Sequence, residues 1–112
     1  MKFVVSFAAI FGTPLSDGAT AVDFRVSQLN QIVAENQEII FDFTGVTNAN
    51  SSFINALIGG LVKEKGSVIL NNIEFKGCKP AIQVLIQSAL YLGLQGSQEE
   101  QKQPTVALTS AL

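Results

Sequence analysis

The chain has 112 residues, with 47% hydrophobic and 14% charged residues and a net charge of −2. That is enough for one domain with a single core and too little for two, and the charge offers no basic field for nucleic acid. There is no histidine, so the commonest general base and metal ligand is missing, and the single cysteine, Cys78, forms neither an internal disulfide nor a paired metal or redox motif.

In chain order, Lys2 and the run Phe3-Val4-Val5-Ser6-Phe7-Ala8-Ala9-Ile10-Phe11, with Ala19-Thr20-Ala21 downstream, have the outline of a secretory signal. Ser6 interrupts the apolar run, and its Val and Phe content suits a strand, which is the preferred reading. Whether the N-terminus is ever processed stays open, and no other stretch is long enough to span a bilayer. The turn Thr13-Pro14-Leu15-Ser16-Asp17-Gly18 breaks the strand and opens a helix capped by Ser16 or Asp17. Val22, Val26, Leu29 and Val33 are its inward stripe, with Phe24 and Ile32 at the margins, and Glu35-Asn36-Gln37 ends it.

Ile39-Ile40-Phe41-Asp42-Phe43, closed by Thr44-Gly45, reads as a buried strand. The polar run from Thr47 to Ser52 turns the chain into a second helix, whose Phe53, Ile54, Leu57, Ile58, Leu61 and Val62 recur on one face. Asn50, Ser51 or Ser52 caps that helix. A hydroxyl at such a helix start also suits phosphorylation, because unpaired amides and the positive end of the helix dipole stabilise a phosphoryl group. Gly59-Gly60 inside the helix costs about 1 kcal/mol per glycine relative to alanine, so the pair marks a bend or a close approach, with packing on the sheet favoured over a partner groove.

Lys65-Gly66 ends the second helix. Ser67 to Asn71 is the next strand, continued or paired on through Ile73 and Phe75. Lys76-Gly77-Cys78 turns, and Pro80 starts a third helix with Ile82, Leu85, Ile86, Ala89 and Leu90 inward. Val84, Tyr91 and Leu92 leave this helix apolar on further sides, which suits a contact surface. Gly93 to Gln103 reads as a loop, and Pro104 to Thr109 as an edge strand or tail. Alternating strands and helices imply crossovers in a mainly parallel or mixed α/β sheet of about four to five strands with about three main helices. Ligands and modifications gather at the carboxyl ends of such strands, where the loop from Thr44 to Ser52 lies.

Ile40-Phe41-Asp42-Phe43-Thr44-Gly45-Val46 followed by Asn50-Ser51-Ser52-Phe53 resembles the core signature of the STAS-like family of small bacterial proteins (DUF4325-type), distant relatives of the STAS domains of anti-sigma factor antagonists and sulfate transporters. The likeness spans roughly residues 3 to 94, so residues 1–94 are the expected domain and 95–112 a loop with an edge strand or tail. The resemblance implies a binding switch rather than an enzyme. In the antagonists, a serine preceded by aspartate at this helix start is phosphorylated by a partner kinase that also holds a sigma factor, and the unmodified antagonist binds that partner. Ser51 falls at the acceptor position and Ser52 follows it. Asn50 stands where the antagonists have aspartate, and Phe53 where they have glycine, so the docking surface departs from theirs.

The expected site is therefore Ser51, Ser52, Asn50 and Phe53, with Asp42 supporting the loop by accepting hydrogen bonds from its amides. The expected partner is a kinase-like ATPase or an anti-sigma-type regulator. No cofactor, metal, nucleic acid or membrane is expected, and the expected location is the cytoplasm. Catalysis finds little support: the nine carboxylates show no telling pair and have no partner base, and no phosphate-binding glycine motif is present. The alternative is a structural or oligomer-forming STAS-like protein without a phospho-switch, which the surplus apolar residues of the last helix favour.

Overall fold

The computed structural model describes residues 2–12 and 14–98. Three parallel strands, β1 (Phe3–Ser6), β2 (Ile39–Asp42) and β3 (Ile73–Lys76), form one sheet in the order β1-β2-β3. Phe3 pairs with Ile39 and Ile39 with Ile73, so the strands run in register from the same end. The parallel α/β architecture matches the reading of the sequence, but the sheet has three strands among the described residues rather than four or five. The candidate strand at 104–109 lies outside them.

Ser6 ends β1 by capping a short helix, α1 (Phe7–Phe11), through its side chain and the Ala9 amide. The apolar N-terminal run is thus half strand and half helix. The first crossover helix, α2, covers residues 18–35 and is capped by Asp17. The second, α3, covers residues 51–65 and is capped by Asn50. The last, α4 (Pro80–Gln98), begins on the proline as expected and continues through Gly93 to Gln98, where a loop was expected. Gly93 stays helical because it packs against Gly59 of α3, a contact that sequence periodicity does not reveal.

Both α2 and α3 contain a π-helical turn, at Arg25–Leu29 and Asn55–Gly59. A π turn takes an extra residue and so shifts the phase of the face that follows it. In α2 the buried residues are Ala21, Phe24, Leu29 and Val33, whereas Val22 and Val26 are 41% and 59% exposed. Of the expected stripe of Val22, Val26, Leu29 and Val33, which assumes a uniform pitch, only Leu29 at the end of the π turn and Val33 beyond it face inward. In α3 all six expected core residues, Phe53, Ile54, Leu57, Ile58, Leu61 and Val62, are buried.

The segment Ser67–Asn71, expected to be the next strand and to continue or pair on through Ile73 and Phe75, lies in a 3₁₀ helix (Ser67–Asn72), and the strand is that continuation, Ile73–Lys76. Gly66 at φ +83° turns the chain tightly after α3, and Ile73 and Phe75 match the inward positions of Ile39 and Phe41 across the ladder. Val68-Ile69-Leu70 thus becomes a connector, with Ile69 partly buried against the core and Val68 exposed.

All three long helices lie on one face of the sheet, α3 in the middle against both α2 and α4. The core beneath them is rich in phenylalanine. Phe7 stacks on Phe43 with centroids 4.6 Å apart and meets Phe41 edge-on at 5.4 Å, while Phe11 meets Phe53 edge-on at 5.2 Å. On the other face stand Val4, Ile40 and Glu74 in one row and Ser6, Asp42 and Lys76 in the next. Among the described residues no helix covers that face, and none is long and apolar enough to cross a membrane.

Candidate functional site

The loops that follow β1 and β2 come together at the carboxyl end of the sheet. Leu15 pairs with Ala49 in a one-residue parallel bridge. The Leu15 amide donates to the Asn48 carbonyl and the Asn50 amide to the Leu15 carbonyl, both at 2.9 Å. The starts of α2 and α3 therefore sit side by side. A Cβ placed on Gly18 would lie 3.3 Å from the Ser52 carbonyl oxygen, so the first turn of α2 abuts the first turn of α3.

Among the three capping candidates, Asn50 is the cap. Its Oδ1 accepts from the Phe53 amide at 3.0 Å, and its Nδ2 donates to the Ser16 carbonyl at 2.8 Å. One side chain therefore closes α3 and ties it to the neighbouring loop. Ser51 and Ser52 occupy the first two helical positions, and both are exposed. Because Asn50 supplies the capping oxygen, neither hydroxyl is needed for that role. Asn50→Ala should cost about 2 kcal/mol of unfolding free energy, at the upper end for a lost cap, because the Ser16 bond goes with it. Asn50→Asp, which keeps a capping oxygen, should lose less; urea titration of both variants measures the difference.

Phe53, the fourth expected site residue, is 1% exposed and packs its ring on Phe11. It anchors the start of α3 from below, and the outer surface there is formed by Asn50, Ser51 and Ser52. Asp42 lies at the end of β2, where its Oδ1 accepts from the Thr44 amide at 2.9 Å. The Thr44 hydroxyl and then its amide hold the Asp42 carboxyl below the usual carboxylate range. At the start of α2, Asp17 is likewise lowered, first by the Thr20 hydroxyl at 2.9 Å and then by the Ala19 amide at 3.0 Å. Asp17 thus places a carboxylate on the same end of the molecule as the serine pair, a neighbour that the sequence reading did not assign to the site. The Pro-Leu-Ser-Asp-Gly turn was its only signal.

Cys78 is half-buried in the turn between β3 and α4. Burial, and then the Asp42 charge, push its thiol above the ordinary value, the reverse of the activation that a nucleophilic thiol needs. No group of three or more His, Cys, Asp or Glu side chains able to hold a metal occurs among the described residues.

A parallel three-stranded sheet with its long helices packed together, the central one carrying a serine pair at its exposed start, makes this an α/β domain. The profile of the family described as "STAS-like domain of unknown function (DUF4325)" matches residues 20–83, and the chain belongs to that family. The match begins inside α2 and ends inside α4, so it takes in β2, the serine-headed α3 and β3. No curated protein and no solved structure is significantly similar to the chain.

Proposed function

We propose that this protein is a non-enzymatic interaction module of the anti-sigma-antagonist type, which docks a protein partner on the surface around Ser51 and is switched by phosphorylation of that serine. The partner class is a kinase-like ATPase or an anti-sigma-type regulator. The observation that carries this reading is the division of labour at the start of α3: Asn50 caps, Phe53 anchors, and Ser51 and Ser52 present hydroxyls outward. A phosphoryl group on Ser51 would meet first-turn amides and the positive end of a 15-residue helical run without disturbing the core. It would also add nearly two negative charges beside the Asp17 end of α2 and change what can dock there.

The test compares wild type, Ser51→Ala and Ser51→Asp. All three should unfold within about 0.5 kcal/mol of one another, as expected for exposed positions, or with Ser51→Asp slightly more stable as an acid in a first turn. In pull-downs from the source cell, a kinase-like ATPase should be retained by wild type and Ser51→Ala and lost from Ser51→Asp. Identical sets of co-purifying proteins would reject the switch, as would mass spectra showing only unmodified Ser51 and Ser52 in every growth state.

The second reading is a structural or oligomer-forming module, favoured by the exposure of Val84 (63%), Tyr91 (57%) and Leu92 (49%) on α4. Light scattering showing a monomer at every concentration would remove it.

A further inference from the structure

The three long helices leave a groove over α3, and its floor lacks side chains where the flanking helices come closest. A Cβ on Gly59 would lie 3.1 Å from the Ala89 carbonyl oxygen of α4, and a Cβ on Gly60 would lie 2.7 Å from the Arg25 guanidinium of α2. With glycine at both positions and alanine at position 56, α3 is recessed between its neighbours, and a cavity of about 320 Å³ opens there. Arg25 forms one wall and Leu92 the other, with Lys63 toward the end of α3. Val22, one turn before Arg25 on α2, and Leu92 on α4 are both exposed, so an apolar ridge stands on each side.

We infer that this groove seats an acidic, amphipathic helix of a protein partner, with small residues against Gly59 and Gly60 and carboxylates against Arg25 and Lys63. Shape, charge and placement select this occupant. A floor of alanine and glycine between two apolar ridges lets a second backbone approach closely, which is how a helix lays its apolar face into a groove. The charged side chains that line the cavity among the described residues are Arg25 and Lys63, both cationic. Glu64, which pairs with Arg25 at 2.8 Å, is not part of the lining. A basic helix would therefore meet like charge, and an acidic one its complement. Asn55, three residues after Ser52 and on the same side of α3, lines the end nearest the serine pair. From Ser52 to Lys63 α3 rises about 16 Å, the length of roughly three turns of a docked helix.

Docking here presupposes that the unmodified Ser51 surface binds a protein partner, as proposed above, and it extends that surface along α3. It also gives the switch its sign. A phosphoryl group on Ser51 repels an acidic helix that ends beside it, and with charges screened over about 8 Å at physiological salt this repulsion acts on the near end of the groove and not at Lys63. Unmodified protein therefore binds, and phosphorylated protein releases.

The experiment titrates full-length, isotopically labelled protein with two synthetic helical peptides of about 18 residues, both with alanine along one face, one flanked by glutamates and the other by lysines at the same positions. The glutamate peptide should shift the amide signals of Ala56, Gly60 and Leu92 saturably and bind about 10-fold or more tightly than the lysine peptide. Lys63→Glu should weaken it about 10-fold. Leu92→Glu, on the opposite wall, should do the same, so the result does not hang on one variant folding. Lys79→Glu, the same charge change at an exposed position before α4, should leave the affinity within about 2-fold. Absence of a saturable shift, equal affinity for the two peptides, or equal effects of Lys63→Glu and Lys79→Glu overturns this docking mode. So do concentration-dependent shifts at the same residues without peptide, which would make the occupant a second copy of the chain. Ser51→Asp separates the groove from the switch. Glutamate-peptide binding that depends on Lys63 but ignores Ser51→Asp supports the groove and counts against the switch. A kinase-like ATPase lost from Ser51→Asp but retained equally by wild type and Lys63→Glu leaves the switch standing and rejects the groove.

Discussion

Gly77→Ala is expected to lower the unfolding free energy by about 3 kcal/mol, combining about 1–2 kcal/mol for a left-handed alanine with an overpacking cost of similar size. Gly77 has φ +71°, and a Cβ there would collide with the Thr44 hydroxyl and lie 2.7 Å from the Thr44 backbone nitrogen and 2.9 Å from its Cα. The turn after β3 therefore rests directly on the turn after β2. Side-chain rotation cannot relieve the contact, because two of the three atoms it meets are backbone. The displaced Thr44 is the residue whose hydroxyl and amide bond the Asp42 carboxylate. A folded-state pKa below the unfolded value gives stabilisation that is present above the unfolded carboxylate pKa and lost as pH falls through the folded one. In the variant this dependence should shrink, so the gap between the stability profiles of wild type and Gly77→Ala should narrow as pH is lowered below about 4, leaving the strain and overpacking cost that does not depend on pH. Denaturant unfolding at neutral and acidic pH measures both effects, and parallel profiles at every pH would show that the Asp42–Thr44 contact survives.

The same contact bears on the proposed switch. Asp42, Thr44 and Gly77 set the height of the carboxyl-end loops, and the Leu15–Ala49 bridge joins those loops to the start of α3. Ser51 is thus presented by a framework of short backbone bonds rather than by a free loop. A partner docking there would meet a surface that is largely preformed, which limits the ordering entropy lost on binding.

Sequence reading recovered the features set by local chemistry. The strand Ile39–Asp42 has a β-branched and aromatic run ending at Thr44-Gly45, Pro80 opens α4, Lys65-Gly66 closes α3, and the uninterrupted stripe from Phe53 to Val62 is buried throughout. What it missed came from contacts between elements. Val22 and Val26 satisfy a uniform helical period, but the π turn at Arg25–Leu29 rotates the face beyond it. Val68-Ile69-Leu70 has the composition of a strand, yet Ile73 and Phe75 hold the register opposite Ile39 and Phe41, and the earlier run becomes a 3₁₀ connector. Of the site, the exposed serine pair was legible from its position after a strand and a polar turn. The choice of Asn50 as cap depended on the Ser16 carbonyl, 34 residues away in sequence, and was not.

Gly93→Val should be the second severe substitution, with a loss of about 3 kcal/mol or more. The Gly59-Gly60 pair faces the flanking helices rather than the sheet, and each glycine answers a different neighbour. On one side, a Cβ on Gly93 would lie 2.6 Å from the Gly59 carbonyl oxygen and 3.1 Å from its Cα, so α3 and α4 touch backbone to backbone. A side chain at Gly93 must push the helices apart and open the seam where Leu57, Ile58, Ile86 and Ala89 are buried. The better helix propensity of a larger residue returns less than about 1 kcal/mol, so the clash decides the sign.

On the other side, a Cβ on Gly60 would lie 2.7 Å from Arg25 Cζ and Nε, atoms at the end of a flexible side chain. Gly60→Ala should therefore cost much less, about 1 kcal/mol or below, by displacing the guanidinium instead of a helix. That guanidinium has a defined task. The Gly60 amide bonds back to the Asn55 carbonyl across the π turn, and the Ala56 carbonyl accepts from Arg25 Nε at 2.9 Å, while Arg25 Nη1 pairs with Glu64 at 2.8 Å. The Arg25 guanidinium holds the Glu64 carboxyl below its ordinary range, so in Gly60→Ala the Glu64 pKa should rise toward that range with little change in stability. Gly93→Val should do the opposite, with a large loss of stability and Glu64 still paired wherever the chain remains folded. Side-chain carboxyl titration by NMR beside urea unfolding separates the two. Equal stability losses would mean that the α3–α4 seam can relax as readily as an arginine tip, which the 2.6 Å between a Cβ added at Gly93 and the Gly59 carbonyl oxygen argues against.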